Sequence, residues 1–357
     1  MKVLYVGTNS DKIKSGLDVV NSRNLNLLSR IISKKDLFVY DRFGVIESSK
    51  MILLQGYMGG LNRKHVKNML NIIEDEKIEC IFLSHSLYGK ACKKIKVKYP
   101  NIKIICFFHN IEQQYAEQYL KVNGLRHLPF YYLVKYNETK SVEYADYHIV
   151  LNNRDSLLLN STYNIDSSMI MPVTYNDVFD EARVISKKIE PLTLLFVGTA
   201  FFANLEAVRF FITKVLPKID AKLIVIGKGM DEYKEEFLRY SDNIEVYGFV
   251  EDLDECYYDC SAVIAPIFSG GGMKTKIAEA LMYGKTVIGT TEAFQGYEID
   301  KNCMILCNSD EEFINFFNHF EETIMNKSFN THSRDVFKRY YDSNTILEKF
   351  KAFLSQI

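Results

Sequence analysis

The sequence predicts an α/β protein with two doubly wound, Rossmann-like domains. Its 357 residues exceed the size at which a single hydrophobic core keeps growing, so two domains are expected. Short apolar runs alternate with longer amphipathic stretches, as in parallel sheets covered by helices. The alternation starts again after the polar stretch Met171–Glu190, which we interpret as the link between domains assigned to residues 1–172 and 173–335.

The first half shows this alternation from its first apolar run onward. Each run is short enough for a strand, and the stretches between them place apolar residues at helical spacing. The predicted strands are Val3–Gly7, Leu37–Tyr40, Cys80–Leu83, Ile104–Phe108 and His148–Leu151, and the predicted helices are Asp18–Ile32, Lys64–Asp75, Tyr88–Tyr99, Leu128–Tyr144 and Arg154–Thr162.

The second half repeats the scheme, with helices between its strands. After Asp310 the chain is predicted to be helical to its end. The predicted strands are Leu192–Val197, Leu223–Ile226, Ile244–Tyr247, Ala262–Ala265, Thr286–Ile288 and Met304–Cys307.

The composition is that of an ordinary globular protein, with 47% apolar and 25% charged residues. The opening apolar run is too short for a signal peptide, and no run reaches the roughly 18 residues of a spanning helix. Seven cysteines at irregular spacing suggest reduced thiols and a cytoplasmic location. Cys256 and Cys260 share a helical spacing, but zinc pairs usually sit closer on tight loops, so no metal site is predicted.

Charge is distributed unevenly along the chain. Residues 1–170 hold 24 Lys and Arg against 16 Asp and Glu, and the remaining residues hold 20 against 29. A basic first half suits an anionic membrane surface or a phosphorylated acceptor, whereas near-neutral overall charge argues against nucleic acid. The stretch Leu128–Lys140 mixes aromatic and basic residues, so an interfacial helix and ordinary core packing both remain open. A second basic cluster, for which a solvated helix face is the alternative, comprises Lys90, Lys93, Lys94, Lys96 and Lys98.

The segment Ser261–Gly289 carries the most chemical information. An apolar strand leads into three glycines, Gly270 to Gly272, and a helical stretch with Lys274, Lys276 and Glu279 follows at once. Glycines let a ligand approach the backbone, free amides at a helix start attract anions, and the lysines add positive charge. This pattern predicts a phosphate or diphosphate site, and Glu279, one turn further along, suits a ribose hydroxyl. The alternative is a glycine-eased turn with solvated lysines.

This segment resembles the nucleotide-sugar-binding segment of the group 1 (family 4) glycosyltransferases, which are retaining enzymes with the GT-B fold. Phe196–Pro217, Leu223–Gly229 and Tyr247–Val250 extend the resemblance through the second half. In the first half it is looser, through Val3–Gly7, Gly16 and His109–Glu112. The resemblance implies two domains facing each other across a cleft. It also implies a last helix, Val336–Leu354 within residues 336–357, that packs back on the N-terminal domain.

The resemblance also implies the roles of individual residues. His109, Lys276 and Glu279 would be catalytic, with His109 lining the donor sugar, Lys276 holding the diphosphate and Glu279 holding the ribose. His85 is a second candidate for the cleft. The donor would further be bound by Gly16, Gly198, Gly227, Val250, Gly271, Gly272, Met273 and Lys274.

Two positions depart from the family pattern. Many members have a glutamate where this chain has Gly271, and many have a basic pair in the loop that here reads Thr199–Asn204. Backbone amides after Gly271 would then take over the sugar contact. Lys274 and Lys276 would carry more of the charge that faces the diphosphate.

The implied function is transfer of a sugar from a nucleoside-diphosphate sugar, with UDP as the expected nucleotide, to a glycan, lipid-linked or protein-linked acceptor. The family pattern implies a metal-independent hexosyltransferase that needs no cofactor and acts in bacterial surface polysaccharide or glycoconjugate synthesis. Contact with the inner face of the membrane is a further expectation. A non-catalytic subunit that supports a partner transferase, and a nucleotide-sugar epimerase, are the alternatives.

Overall fold

A computed structural model describes residues 1–7, 16–41, 55–184, 191–269, 273–319 and 329–357, without the side chains of residues 16–19 and 122–123. The predicted donor-binding residues Gly271 and Gly272 lie outside the described residues. Gly16 is described and is the first residue of a helix.

The chain forms two compact units. The first comprises Met1–Val173 together with Leu347–Ile357, and the second comprises Thr174–Ile346. Among the described residues each unit contains its own six-stranded sheet, and every strand pairing found there is parallel. The predicted class, α/β with two doubly wound sheets, is therefore confirmed.

The sheet of the first unit has the strand order β2-β1-β3-β4-β5-β6. Its central strands are fully buried, and their continuous apolar runs are typical of parallel strands covered on both faces. The strands are β1 Val3–Gly7, β2 Leu37–Asp41, β3 Cys80–Leu83, β4 Lys103–Phe108, β5 Tyr147–Val150 and β6 Met169–Ile170. The helices are α1 Gly16–Ile31, α2 Arg63–Glu76, α3 Gly89–Lys98, α4 Glu112–Asn123, α5 Leu128–Tyr144 and α6 Asn153–Tyr163.

The sheet of the second unit has the order β12-β11-β10-β7-β8-β9. One large apolar cluster packs around it, from Leu194 on β7 to Tyr341 near the end of the unit. The strands are β7 Thr193–Val197, β8 Lys222–Ile226, β9 Ile244–Tyr247, β10 Ala262–Ala265, β11 Val287–Gly289 and β12 Met304–Leu306. The helices are α7 Phe202–Phe210, α8 Lys234–Leu238, α9 Leu253–Asp259, α10 Thr275–Met282, α11 Asp310–Asn318, α12 Thr331–Tyr340 and α13 Ser343–Leu354.

The prediction of one terminal helix over Val336–Leu354 is wrong, because two helices occupy this region. The Asp342 carboxylate accepts a hydrogen bond from the Thr345 amide at 3.0 Å and so begins α13 as a new helix. The residues at the break also pair with an earlier segment: the Tyr175 amide donates to the Tyr341 carbonyl at 3.0 Å, and the Ser343 amide donates to the Tyr175 carbonyl at 2.9 Å. Backbone pairing with a distant segment therefore interrupts the helical pattern.

The end of the chain belongs to the first unit. The Phe350 ring lies 6.1 Å from the ring of Phe82 on β3, and Phe353 lies 5.5 Å from Tyr147 on β5. Aromatic contacts at these distances contribute beyond the apolar area that they bury. The apolar face of α13 is therefore part of the core of the first unit.

Helix α4 was not predicted, and a residue of another helix explains how it starts. Glu138 on α5 is completely buried, and its carboxylate accepts hydrogen bonds from the amides of Glu112 and Gln113, both at 2.8 Å. Ser86 and Tyr163 donate to the same carboxylate at 3.0 and 2.8 Å. The free amides at the start of α4 are thus satisfied by a side chain from a distant segment.

Two further sequence expectations concern membranes and thiols. No helix among the described residues has both the length and the apolar character needed to cross a membrane. All seven cysteines are free, and all except Cys256 are buried. Within the described part of the chain, no three His, Cys, Asp or Glu side chains are grouped to hold a metal ion.

Candidate active site

The predicted donor-binding residues of the second unit follow its strands. Gly198 follows β7, Gly227 follows β8, Val250 lies just after β9, and Met273 and Lys274 lie between β10 and α10. In a parallel sheet the carboxyl ends of the strands share one edge, where ligands of open α/β sheets bind. The structure therefore places these residues at the edge where a ligand is expected.

Gly198 leaves room for the amine of Lys276. A Cβ atom at Gly198 would lie 2.9 Å from the Lys276 Nζ and 2.9 Å from the Asn204 Nδ2, closer than real Cβ contacts. Gly227 is packed more tightly still, since a Cβ there would lie 1.9 Å from the Gly198 carbonyl oxygen. Both glycines therefore allow close packing of the turns after β7 and β8, and any ligand contact by them remains a prediction.

Lys276 lies in the first turn of α10 and is only 6% exposed. Its Nζ donates to the Asn204 Oδ1 at 2.9 Å and lies 3.9 Å from the centre of the Phe196 ring. Burial, together with the smaller effect of the Lys274 charge, lowers the pKa of Lys276 to about 7, and the charge of Glu279 partly opposes this shift. Lys276 is thus a buried amine whose positive charge is only partly offset by Glu279, and such a group is suited to bind an anion.

Lys274, the second predicted cation, has a carboxylate partner. Its Nζ lies 2.9 Å from the Glu292 Oε1, and the lysine side chain is 10% exposed. Its backbone carbonyl accepts a hydrogen bond from the Tyr297 hydroxyl at 2.7 Å, and that hydroxyl also accepts from the Ala278 amide at 3.3 Å. Tyr297 thus holds the start of α10, while Glu292 offsets the charge of Lys274.

Glu279 lies one turn after Lys276 and is partly buried. Its Oε2 accepts a hydrogen bond from the Tyr257 hydroxyl at 3.1 Å, and burial raises the pKa of the carboxyl group. The Tyr175 hydroxyl also interacts with this carboxylate. Burial is the larger cause that raises the pKa of Tyr175, and the negative charge of Glu279 raises it further. The carboxylate is held in one orientation by a phenol and can accept from a further donor.

Two aromatic features at this edge were not predicted. Phe249 is 82% exposed directly before Val250, which is itself partly buried against the core. Phe201 and Phe202, in the loop that lacks the basic pair, are 54% and 61% exposed, with ring centres 4.4 Å apart. Phe201, Phe202 and Phe249 have the same hydropathy as the buried phenylalanines of this unit, so hydropathy alone could not predict their exposure.

In the first unit, His109 directly follows β4 and is 6% exposed. Its Nε2 lies 2.8 Å from the Ser84 carbonyl oxygen. A carbonyl only accepts, so Nε2 carries the proton and Nδ1 is the acceptor of the neutral ring. Burial lowers the pKa of His109 to about 4, with a smaller contribution from the charge of Arg23. The imidazole is therefore neutral at physiological pH.

His85, the second histidine candidate, has a structural role. Its Nδ1 accepts from the Leu87 amide at 3.2 Å and caps a short 3-10 turn, and its ring lies 5.4 Å from the His109 ring. Glu112, three residues after His109, ends the segment His109–Glu112. Burial raises the pKa of Glu112 to about 7, and the charge of Glu138 adds to the shift. A second titratable group thus lies close to His109 along the chain.

The candidate residues fall into two groups. Lys276, Glu279, Lys274 and Met273 lie together at the start of α10, with Gly198 beside the Lys276 amine. His109 belongs to the first unit. Asn204, the partner of Lys276, was missed as a site residue because its distance of 72 residues along the chain gives no local signal.

Comparison with known proteins shows what the second half of the chain is similar to. The family model described as "Glycosyl transferases group 1" matches residues 191–319, which contain β7 to β12 and the whole α10 site. Residues 191–319 are therefore similar to the group 1 glycosyl transferases. No curated protein matches the sequence significantly.

Solved structures extend the comparison over the whole chain. Anabaena HepE in complex with UDP and glucose is 11% identical with a TM-score of 0.65, and all of both chains is covered. Sucrose-phosphate synthase from Thermosynechococcus elongatus is 12% identical with a TM-score of 0.70, covering 99% of this chain and 98% of its own. The lipopolysaccharide outer core galactosyltransferase WaaB is 15% identical with a TM-score of 0.67 and full coverage of both chains. The whole chain therefore has the GT-B fold of these structures.

Proposed function

We propose that this protein is a retaining, family 4 glycosyltransferase that moves a hexose from a nucleoside-diphosphate sugar to a glycan, lipid-linked or protein-linked acceptor. One observation carries the proposal: the buried amine of Lys276 lies at the start of α10, within the residues that match the group 1 glycosyl transferase model. The proposal places the reaction in the cytoplasm, in bacterial surface polysaccharide or glycoconjugate synthesis, with contact to the inner face of the membrane.

The proposed reaction breaks the bond between the anomeric carbon and the diphosphate oxygen, and this oxygen keeps the electron pair. The acceptor hydroxyl forms the new bond on the same face of the sugar, and its proton passes to the departing diphosphate. Negative charge grows on the leaving diphosphate, so a cation placed beside it stabilises the transition state. Lys276, at the start of α10, supplies this charge.

Glu279 is proposed to bind the ribose of the donor. Its Oε2 is held by the Tyr257 hydroxyl at 3.1 Å, so the carboxylate has a fixed direction and spare acceptor capacity. A ribose bound here, one turn after Lys276, fixes the position of the nucleotide relative to the cation. Orienting the donor in this way lowers the entropic part of the barrier.

His109 is proposed to contact the donor sugar through Nδ1. The Ser84 carbonyl occupies Nε2, so the neutral ring offers an acceptor to a sugar hydroxyl. A neutral ring places no positive charge beside the oxocarbenium-like carbon. The backbone around Gly16, Gly198, Gly227, Val250, Gly271, Gly272 and Met273 is proposed to line the donor.

UDP is the proposed nucleotide. Anabaena HepE, which shares the fold, has been solved with UDP and glucose and also with UDP-glucose. This likeness supports a uridine nucleotide and a hexose as the first donors to test. The proposed transfer requires neither a metal ion nor a cofactor.

The experiment is incubation of the purified protein with UDP-, GDP-, ADP- and dTDP-sugars, with thermal shift and nucleoside diphosphate release measured in parallel. A transferase shows a thermal shift and acceptor-dependent release with one donor. Thermal shift without release, at all acceptors tested, indicates the non-catalytic subunit, and conversion of the donor into its epimer indicates the epimerase. NMR of the product's anomeric proton tests retention, and activity in EDTA tests metal independence.

A further inference from the structure

Helices α4 and α5 of the first unit carry an exposed aromatic cluster. Tyr115 is 59% exposed, and its ring is stacked on Tyr119 with 6.4 Å between centres. The Tyr119 ring also lies 4.9 Å from His127 and 6.1 Å from Phe130. Leu125, in the turn between the helices, is 80% exposed. Contiguous exposed apolar surface of this kind commonly marks a binding surface.

The opposite faces of the two helices already form the core. Ala116 on α4 and Val134 on α5 are both 1% exposed and pack in one apolar cluster with Met58 and Leu87. The outward rings are therefore not needed to hold the helices in place. The stretch Leu128–Lys140 was compatible with an interfacial helix or with core packing of its aromatic residues. Phe130, Tyr132 and Tyr136 are exposed and therefore do not pack in the core.

The charge around this cluster is positive. Residues 115–136 contain Lys121, Arg126 and Lys135, and their single carboxylate is Glu117. The Lys121 Nζ lies 2.8 Å from the Glu117 Oε1, so the only negative charge of the segment is already paired. The three basic residues outnumber the one carboxylate, so the segment carries a net positive charge.

We propose that this α4–α5 surface, formed by Tyr115, Tyr119, Leu125, Arg126, His127, Phe130 and Lys135, binds an anionic lipid bilayer. Tyrosine and phenylalanine rings favour the zone between lipid headgroups and acyl chains, where one end is apolar and the other wet. Arginine and lysine beside them attract anionic headgroups. A bilayer therefore matches both the rings and the charges of this surface.

The proposed function includes contact with the membrane, and this proposal names the surface that makes the contact. It rests on the proposed function only for the expectation that such a contact exists. Its test requires no sugar transfer. A failure of lipid binding and a failure of glycosyl transfer are therefore observed separately.

The experiment is co-sedimentation of the full chain with vesicles of phosphatidylcholine alone or of phosphatidylcholine and phosphatidylglycerol in equal parts. We expect preferential binding to the anionic vesicles, weakened by added salt. Tyr115→Ser combined with Leu125→Ser, and Arg126→Glu combined with Lys135→Glu, each lower the partition coefficient by about tenfold or more. All four residues are exposed, so the variants fold, as checked by thermal melting.

Matched controls change exposed residues outside the surface. Val97→Ser with Tyr240→Ser removes two side chains that are 64% and 51% exposed, and Lys64→Glu with Lys67→Glu makes the same charge change on α2. The proposal is overturned if the wild type does not bind anionic vesicles more strongly than neutral ones. It is also overturned if the control variants lose as much binding as the surface variants. Sedimentation equilibrium supplies the other decisive outcome: a dimer that the surface variants dissociate would show that a second copy of the chain occupies this surface.

Discussion

The Lys276 Nζ lies 2.9 Å from the Asn204 Oδ1, so the hydrogen-bond partner of this buried ammonium group is a neutral amide. A carboxylate in the same place would cancel the charge, whereas an amide orients the amine and leaves its charge available. Asn204 lies on α7 and Lys276 on α10. Gly198 has no side chain and so leaves room for both groups.

Lys276→Ala is expected to weaken nucleoside diphosphate binding by about 1.5 to 3 kcal/mol, the range of a charge-assisted hydrogen bond. Isothermal titration calorimetry measures the change. The corresponding nucleoside, which lacks the diphosphate, serves as the control ligand and should bind both proteins alike. Unchanged affinity for the diphosphate would assign this role to Lys274 instead.

Diphosphate affinity is expected to fall as pH rises above about 7. Burial lowers the pKa of free Lys276 to about 7, so the amine is charged below this pH and neutral above it. A bound anion favours the charged form, and binding above pH 7 therefore requires uptake of a proton. Titration in buffers of different ionisation enthalpy measures this uptake. Lys276→Arg stays charged and should flatten the pH dependence, and an equally steep dependence in that variant would contradict the prediction.

Glu292→Gln is expected to tighten diphosphate binding modestly. The Glu292 carboxylate pairs with Lys274 at 2.9 Å, and removing its charge leaves the lysine available to the ligand. A pair of this kind contributes about 0.2 to 1 kcal/mol, so affinity should rise by up to about fivefold. Glu298→Gln, on the same loop, is the matched control. Weaker binding in Glu292→Gln would mean that the ion pair positions Lys274 for the ligand.

Glu279→Gln is expected to keep the fold and lower donor affinity and transfer. The amide oxygen can still accept from the Tyr257 hydroxyl, so the cost to stability should stay within about 0.5 kcal/mol. Uridine diphosphate and a dideoxyribose analogue are compared by calorimetry. If Glu279 binds the ribose, the substitution weakens only the first ligand, and equal losses with both would exclude ribose recognition.

His109→Asn is expected to retain more transfer activity than His109→Gln. The side-chain amide of Asn overlaps the Nδ1 side of an imidazole and that of Gln overlaps Nε2, which Ser84 already occupies. The Gln variant should lose about tenfold or more in kcat/KM. Because burial lowers the pKa of His109 to about 4, its titration should give no inflection between about pH 5 and 8. The reverse order of the two variants would assign sugar binding to Nε2.

Local patterns were enough to predict most of the architecture. Strands β1, β3, β9 and β10 have the predicted bounds. Strands β1, β3 and β10 are uninterrupted apolar runs that end at a glycine, a serine and a proline, and β9 has Glu245 as its one charged residue. The strand, glycine and helix order around Lys276 likewise placed that residue at a helix start. Such features depend on neighbours within a few positions, and hydropathy and backbone preference therefore reveal them.

Contacts between distant residues explain what the patterns could not show. Glu292 pairs with Lys274 across 18 positions, Asn204 meets Lys276 across 72, and Glu138 starts α4 from another helix. Pairing with Tyr175 breaks the terminal helix in two. A lysine in the sequence has the same chemistry wherever it stands, but packing sets whether its charge is buried, paired or available. Residue types near a ligand could thus be read from the linear chain, whereas their ionisation, partners and exposure arose only when the strands assembled.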